Sequence, residues 1–322
     1  MNALTTRAKV GITVLTALLL ASVAVVWALT RPDPQVEVDP TVSLRSPGML
    51  VRDTTTGRLA LVRADGSRAQ TAATCARVYA AGGRAVCLRP DEASPGTFVL
   101  DVLASDLSVE RTLPVNGVPT RARLSADGRM VAWTMFVSGD SYTSAGFSTR
   151  SGLLDLATGV LTSSLEDFRL VDAAGKGGKP PTDANFWGVS FAADDNTFYA
   201  TMATGKHFYL VQGDAAAETV SVIGDGIECP SLSPDGTRLV YKRRLPDSTW
   251  RLEVYDLGST RRTPLAETAD VDDQGVWLDD HTIGYGRLDP ANGRVSVWSV
   301  PADGSGSPVE LADGAESPSA PT

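Results

Sequence analysis

The chain has 322 residues, 43% of them hydrophobic and 21% charged, with 30 Gly and 19 Pro. That composition describes a foldable, turn-rich chain and excludes a largely disordered one. With 29 Lys and Arg against 38 acids and no basic patch, it also excludes a nucleic-acid surface and broad adhesion to anionic lipid, which both rest on clustered cations.

Residues 10–29 form a 20-residue apolar run broken only by Gly11, Thr13, Thr16 and Ser22. At about 1.5 Å of helical rise per residue such a run spans a hydrocarbon core of roughly 30 Å. Arg7 and Lys9 precede it, and positive charge stays on the cytoplasmic side. The sequence therefore predicts a single-pass signal-anchor helix over 10–29, with residues 1–9 cytoplasmic and everything after it extracytoplasmic. Trp27 stands where an interfacial aromatic belongs. The alternative is a cleaved signal peptide, whose apolar region is usually about 7–15 residues, and which would release the same domain as a secreted protein. The exported part holds 27 Lys and Arg against all 38 acids, a net charge of −11. Residues 30–46 carry three prolines and several charges and are predicted to be a tether.

Beyond the tether no convincing long amphipathic helix appears, and short β-branched and aromatic runs alternate with Gly, Asp and Pro, the pattern of an all-β protein. A strand–turn–strand unit recurs, clearest at 232–241 (LSPDGTRLVY) and 124–133 (LSADGRMVAW). It continues at 191–200 (FAADDNTFYA), 78–87 (VYAAGGRAVC) and, more weakly, 277–285 (WLDDHTIGY). Asp-Gly suits the turn because Gly accepts positive φ and Asp bonds the local backbone. Two further strands follow each copy, making four strands in about 40–45 residues, the period of a propeller blade. The expectation is a six-bladed β-propeller over 47–322. Blade one (47–73) lacks a first strand, and residues 314–320 (GAESPSA) mirror 226–232 (GIECPSL), which opens the fifth blade. The segment 315–322 is therefore expected to supply the missing innermost strand and close the ring, removing open sheet edges.

Blade two is placed at 74–116, with Cys75 and Cys87 flanking one hairpin; these two are predicted to be bridged. Cys229 sits at the inner-strand position equivalent to Cys75 in the opposite blade, beyond the roughly 7 Å reach of a disulfide, and is expected to be a buried free thiol. Blade three is placed at 119–166, an insertion at 167–186, then blade four at 187–224, blade five at 227–268 and blade six at 272–312. The loop within blade three (137–149) and the insertion are expected to rise side by side on one face of the ring, where binding residues usually lie. Ser141, Tyr142, Phe147, Arg150, Phe186 and Trp187 are the candidate contacts there, Tyr and Trp offering apolar faces with a polar handle. The alternative for Phe147, Phe186 and Trp187 is packing between blades. Glu228, Asp272 and Asp273, with Gln274 beside them, precede inner strands and are candidates at the channel mouth, where paired carboxylates could hold a ligand or act on a glycan. The pairs Asp194–Asp195 and Asp279–Asp280 coincide with the repeat turn and are read as structural.

The Ser-x-Asp-Gly units, clearest at 233–236 and 125–128, together with ECPSLSPDGTRLVYK, VDDQGVWLDD and VWSVPADGSG, resemble the WD-repeat-like propellers of the TolB family over residues 48–322. The resemblance implies a fold and a binding habit and carries no catalytic residue. It departs from TolB in having a predicted membrane helix where TolB has an N-terminal α/β domain. With two histidines, no Gly-x-Ser-x-Gly elbow and no Cys/His cluster, the sequence supports no nucleophile, metal or cofactor. The expected function is a non-enzymatic, monomeric extracytoplasmic module binding a protein or a cell-envelope glycan. The alternative is a propeller hydrolase or lyase using the channel-mouth carboxylates.

Overall fold

The repeat turn is built by its own side chains. In 125–130 the Ser125 hydroxyl donates to Asp127 Oδ1 (2.6 Å) and accepts the amide of Met130 (2.9 Å), while the Arg129 amide donates to the same carboxylate oxygen (2.9 Å). Ser233 and Asp235 repeat the arrangement, with the amides of Thr237 and Arg238 each at 3.0 Å. The following residue must take positive φ, which Gly128 (76°) and Gly236 (70°) do freely; Asp195 fills the place at 55° in the copy without glycine.

In the computed structural model, which describes residues 37–138 and 147–320, these hairpins are the inner halves of six antiparallel sheets. From the innermost strand outward, blade one is Ala315–Ser319, Met49–Asp53, Arg58–Val62 and Arg68–Thr74; blade two is Arg77–Ala81, Arg84–Pro90, Phe98–Leu103 and Val109–Val115; blade three is Val118–Leu124, Met130–Ser138, Phe147–Asp155 and Leu161–Thr162. Blade four begins Asn185–Phe191, Thr197–Thr204, His207–Asp214, Thr219–Asp225; blade five is Glu228–Leu232, Arg238–Arg244, Trp250–Asp256 and Arg262–Pro264; blade six is Val276–Trp277, Thr282–Asp289, Arg294–Pro301 and Val309–Ala312. Each innermost strand touches its neighbours on either side, so the six close into a ring around a channel. Ala315–Ser319 pairs antiparallel with Met49–Asp53, and that pairing joins the two ends of the propeller chain.

One blade's sheet cannot bury both faces alone, and the apolar core is accordingly divided among the six blade boundaries. Blades three and four share Met130, Leu153, Phe168, Phe186, Phe198 and Met202. Blades four and five share Leu210, Ile227, Leu239 and Tyr241, and blades six and one share Val297, Val51, Ala60 and Ala315. Blades two and three, five and six, and one and two complete the set. The disulfide Cys75–Cys87 is present, with Cα atoms 5.4 Å apart, and Cys229 is a buried free thiol.

Two expectations are corrected. The insertion does not simply rise as a loop: Arg169–Val171 runs parallel to the last strand of blade four and pairs with Gly177–Gly178, giving a six-stranded sheet whose outer edge it extends. The stretch read as a tether is docked from residue 39 onward. The Asp39 amide donates to Gln70 O (2.9 Å), the Leu44 amide to Ser105 O (2.8 Å), and Val42 and Leu44 are buried. The run 10–29 lies outside the described residues, and among the described residues no helix is long and apolar enough to cross a membrane.

Candidate functional site

The inner strands depart from simple alternation. Bulges interrupt the pairing between residues 119 and 121, 187 and 190, 228 and 231, and, in the closing strand, opposite Leu50–Arg52. Cys229 (φ 51°) and Ser317 (53°) hold left-handed conformations within two of them, and Gly188 (66°) within a third. A bulge adds twist and re-aims side chains, here at the end of the ring where the inner strands begin.

At that end the boundary of blades four and five carries an aromatic and cationic cluster. Trp187 meets Phe208 edge to face, ring centres 6.0 Å apart. The Arg244 guanidinium lies 5.5 Å from the Phe208 ring and 5.1 Å from the Trp250 ring, and the Lys242 ammonium stands 4.7 Å from Trp250. The Trp250 indole donates to Glu228 Oε1 (3.1 Å) and Lys242 donates to Asp272. Trp187, Phe208 and Trp250 are half-buried and Arg244 is exposed. Among the described residues Arg244 has no ion pair, though its charge acts on the buried Glu228 carboxyl.

The sequence-derived candidates divide accordingly. Ser141 and Tyr142 lie outside the described residues. Phe147 begins the third strand of blade three, paired in register with Ser138. Arg150 is exposed on that strand, and its charge works against the burial that raises the Glu166 carboxyl. Phe186 is fully buried in the core between blades three and four and cannot meet a ligand, whereas its neighbour Trp187 points the other way. Glu228 is 4% exposed; burial raises its carboxyl, opposed by Lys242 and the Trp250 indole. Asp272 is 61% exposed and paired with Lys242. Asp273 spends both oxygens on backbone amides, Oδ1 on Gln274 (2.9 Å) and Oδ2 on Gly286 (2.8 Å). The three carboxylates are thus each engaged by a different partner. Gln274 is 3% exposed and reaches across the channel, its amide donating to Pro230 O (2.9 Å) and Val189 O (3.4 Å).

Sequence reasoning missed Lys242, Arg244 and Trp250 at the mouth, and Arg77, Arg121 and Arg123 in the channel. The signal for the last two was their i, i+2 spacing on an innermost strand, since alternate residues share a face.

The arrangement of sheets has counterparts among known structures. TolB from Acinetobacter baumannii superposes with a TM-score of 0.56 over 93% of this chain and 70% of its own, at 15% identity. This chain has the TolB-like propeller fold. A TolB-assigned structure from Agrobacterium tumefaciens matches the TolB-like propeller at TM-score 0.51, covering 82% of this chain and 88% of its own at 13% identity. A chain of a nidogen/laminin complex matches at 0.51, covering 77% and 88% at 12% identity. No family model and no curated protein matches the sequence.

Proposed function

We propose that this TolB-like propeller is a membrane-anchored extracytoplasmic module that binds a protein partner through the end of the ring bearing Trp187, Phe208, Arg244 and Trp250. The observation that carries the reading is Arg244, exposed between the rings of Phe208 and Trp250 and in no ion pair among the described residues, with only the buried Glu228 carboxyl feeling its charge. Trp and Arg are the residue types that anchor protein interfaces, because each buries a large area and carries a directed polar group. Arg244 is suited to a carboxylate of the partner, gripped by two parallel donors and backed by the aromatic faces. The likeness to TolB and to a chain of the nidogen/laminin complex supports a binding habit for the scaffold. The 20-residue apolar run supports the anchor.

Chemical cross-linking followed by affinity capture with the full-length chain, beside the double substitution Arg244→Ala and Trp250→Ala, tests the binding reading. Losing two such anchors at about 2 kcal/mol each lowers affinity by at least 100-fold. Unchanged capture refutes the site; capture only of glycan fragments refutes the protein partner. Extraction of the full-length chain from membranes by alkaline wash contradicts the anchor.

A further inference from the structure

The channel holds buried positive charge that the chain itself does not neutralise. Arg121 and Arg123 project from the inner strand of blade three. The Arg121 guanidinium donates to the carbonyls of Thr120 (2.8 Å) and Asp272 (3.3 Å). That of Arg123 donates to the carbonyls of Gln274 (3.4 Å) and Gly275 (3.0 Å) in the opposite blade, and lies 4.3 Å from the Tyr79 ring. Neither forms an ion pair among the described residues, and the buried Nε–H of each has no hydrogen-bond partner. Arg123 is 6% exposed. Beside them Arg77 and Arg52 share a single carboxylate, Glu316, each at 2.8 Å. Asp273 is turned to backbone amides, and Asp272, whose charge also acts on Arg121, is paired with Lys242. Four guanidinium groups and one ammonium therefore face three carboxylates.

A buried charge left unpaired and a buried donor left unbonded both destabilise the fold. Native structures avoid both by supplying a partner. A cavity of about 20 Å³ lies among Arg77, Thr120, Arg121, Arg123, Asp273, Gln274 and Ser317. One water-sized body needs roughly 10–15 Å³ by this measure, so the space admits one such body.

We infer that the propeller channel is a binding site for a single halide-sized monovalent anion, chloride being the probe of that class, held by Arg121 and Arg123. A water is the rival occupant. It would satisfy one Nε–H and the unpartnered Gln274 Oε1, yet leave the surplus positive charge uncompensated, and the charge decides for the anion. The site is independent of the protein-binding end: its residues sit inside the ring, and its failure would leave that reading untouched.

The test is thermal unfolding of the full-length chain at fixed ionic strength in sodium chloride, sodium bromide or sodium gluconate, whose anion is far bulkier than a halide. The midpoint is expected about 2–4 °C higher in either halide than in gluconate, with Arg123→Gln abolishing the difference. Equal midpoints in all three salts overturn the inference. Should Arg123→Gln fail to fold, crystals of the unaltered chain grown in bromide decide: an anomalous peak at the Arg121 and Arg123 guanidinium groups supports the anion, and a water there without bromide signal overturns it.

Discussion

Tyr241 and Tyr285 occupy the same place in blades five and six, fully buried, each donating to a glutamate. Tyr241 bonds Glu253, which also accepts from Arg243, and Tyr285 bonds Glu267 (2.6 Å), which also accepts from Arg287 (3.0 Å). Burial, reinforced by the adjacent glutamate, pushes both phenols far above the usual tyrosine value near 10. In an absorbance titration two of the seven tyrosines should therefore stay protonated until the chain unfolds. Tyr241→Phe strips Glu253 of a donor and should lower stability by about 1–3 kcal/mol in urea unfolding. Gly188 shows steric limitation instead. A Cβ there would sit 2.6 Å from Cys229 Cα in the next blade, at φ 66°, so Gly188→Ala should cost about 1–3 kcal/mol and loosen the blade four–five boundary. A variant as stable as the parent would show that the inner strands have slack.

Among elements, the closing strand Ala315–Ser319 has the largest consequence. It supplies Ala315 to the core between blades six and one, Glu316 to Arg52 and Arg77, and the Ser319 hydroxyl to the amide of Ala80 (3.2 Å). Deleting 314–322 exposes an edge of blade one and removes contacts to blades two and six together. It should replace a single unfolding transition by a lower, broader one in calorimetry; an unchanged transition would contradict the ring closure. The turn motif was legible because its chemistry is local: a Ser, an Asp and a positive φ within five residues determine the hairpin wherever they occur. Glu228 and Asp272 were legible as mouth residues because they precede inner strands. Of the two readings offered for Phe186, contact or packing between blades, it takes the second, because it and Trp187 are adjacent and strand alternation sends one into the core and the other outward. Arg121 and Arg123 escaped notice because only closure of the ring turns that strand's face into a channel lining. The fate of 169–178 was hidden for another reason: pairing to a blade's outer edge is a tertiary choice that a Gly- and Lys-rich segment does not announce.

The whole molecule has a predictable response to acid. Aspartates in the turns are held below the usual carboxylate range: Asp155 by Arg129, Asp235 by the Ser233 hydroxyl, Asp256 by the Ser259 hydroxyl, with Asp106, Asp247 and Asp303 alike. A carboxyl whose folded value is depressed contributes stability above its unfolded value, near 3.9, and loses it as pH falls through the folded value. Glu228, Glu166 and Asp195, raised by burial, act in the opposite sense, losing stability as pH rises, but they are outnumbered by the lowered aspartates. The urea midpoint should be nearly equal at about pH 7 and 5 and fall clearly at about pH 3.5.

The binding end of the ring is most directly tested by placing a photoreactive amino acid at Phe208 and, separately, at Val309 on the outer strand of blade six, in the full-length chain inside cells. Irradiation should join a partner protein to the chain from position 208 and not from 309. Adducts from 309 alone, or equally from both, would contradict the account.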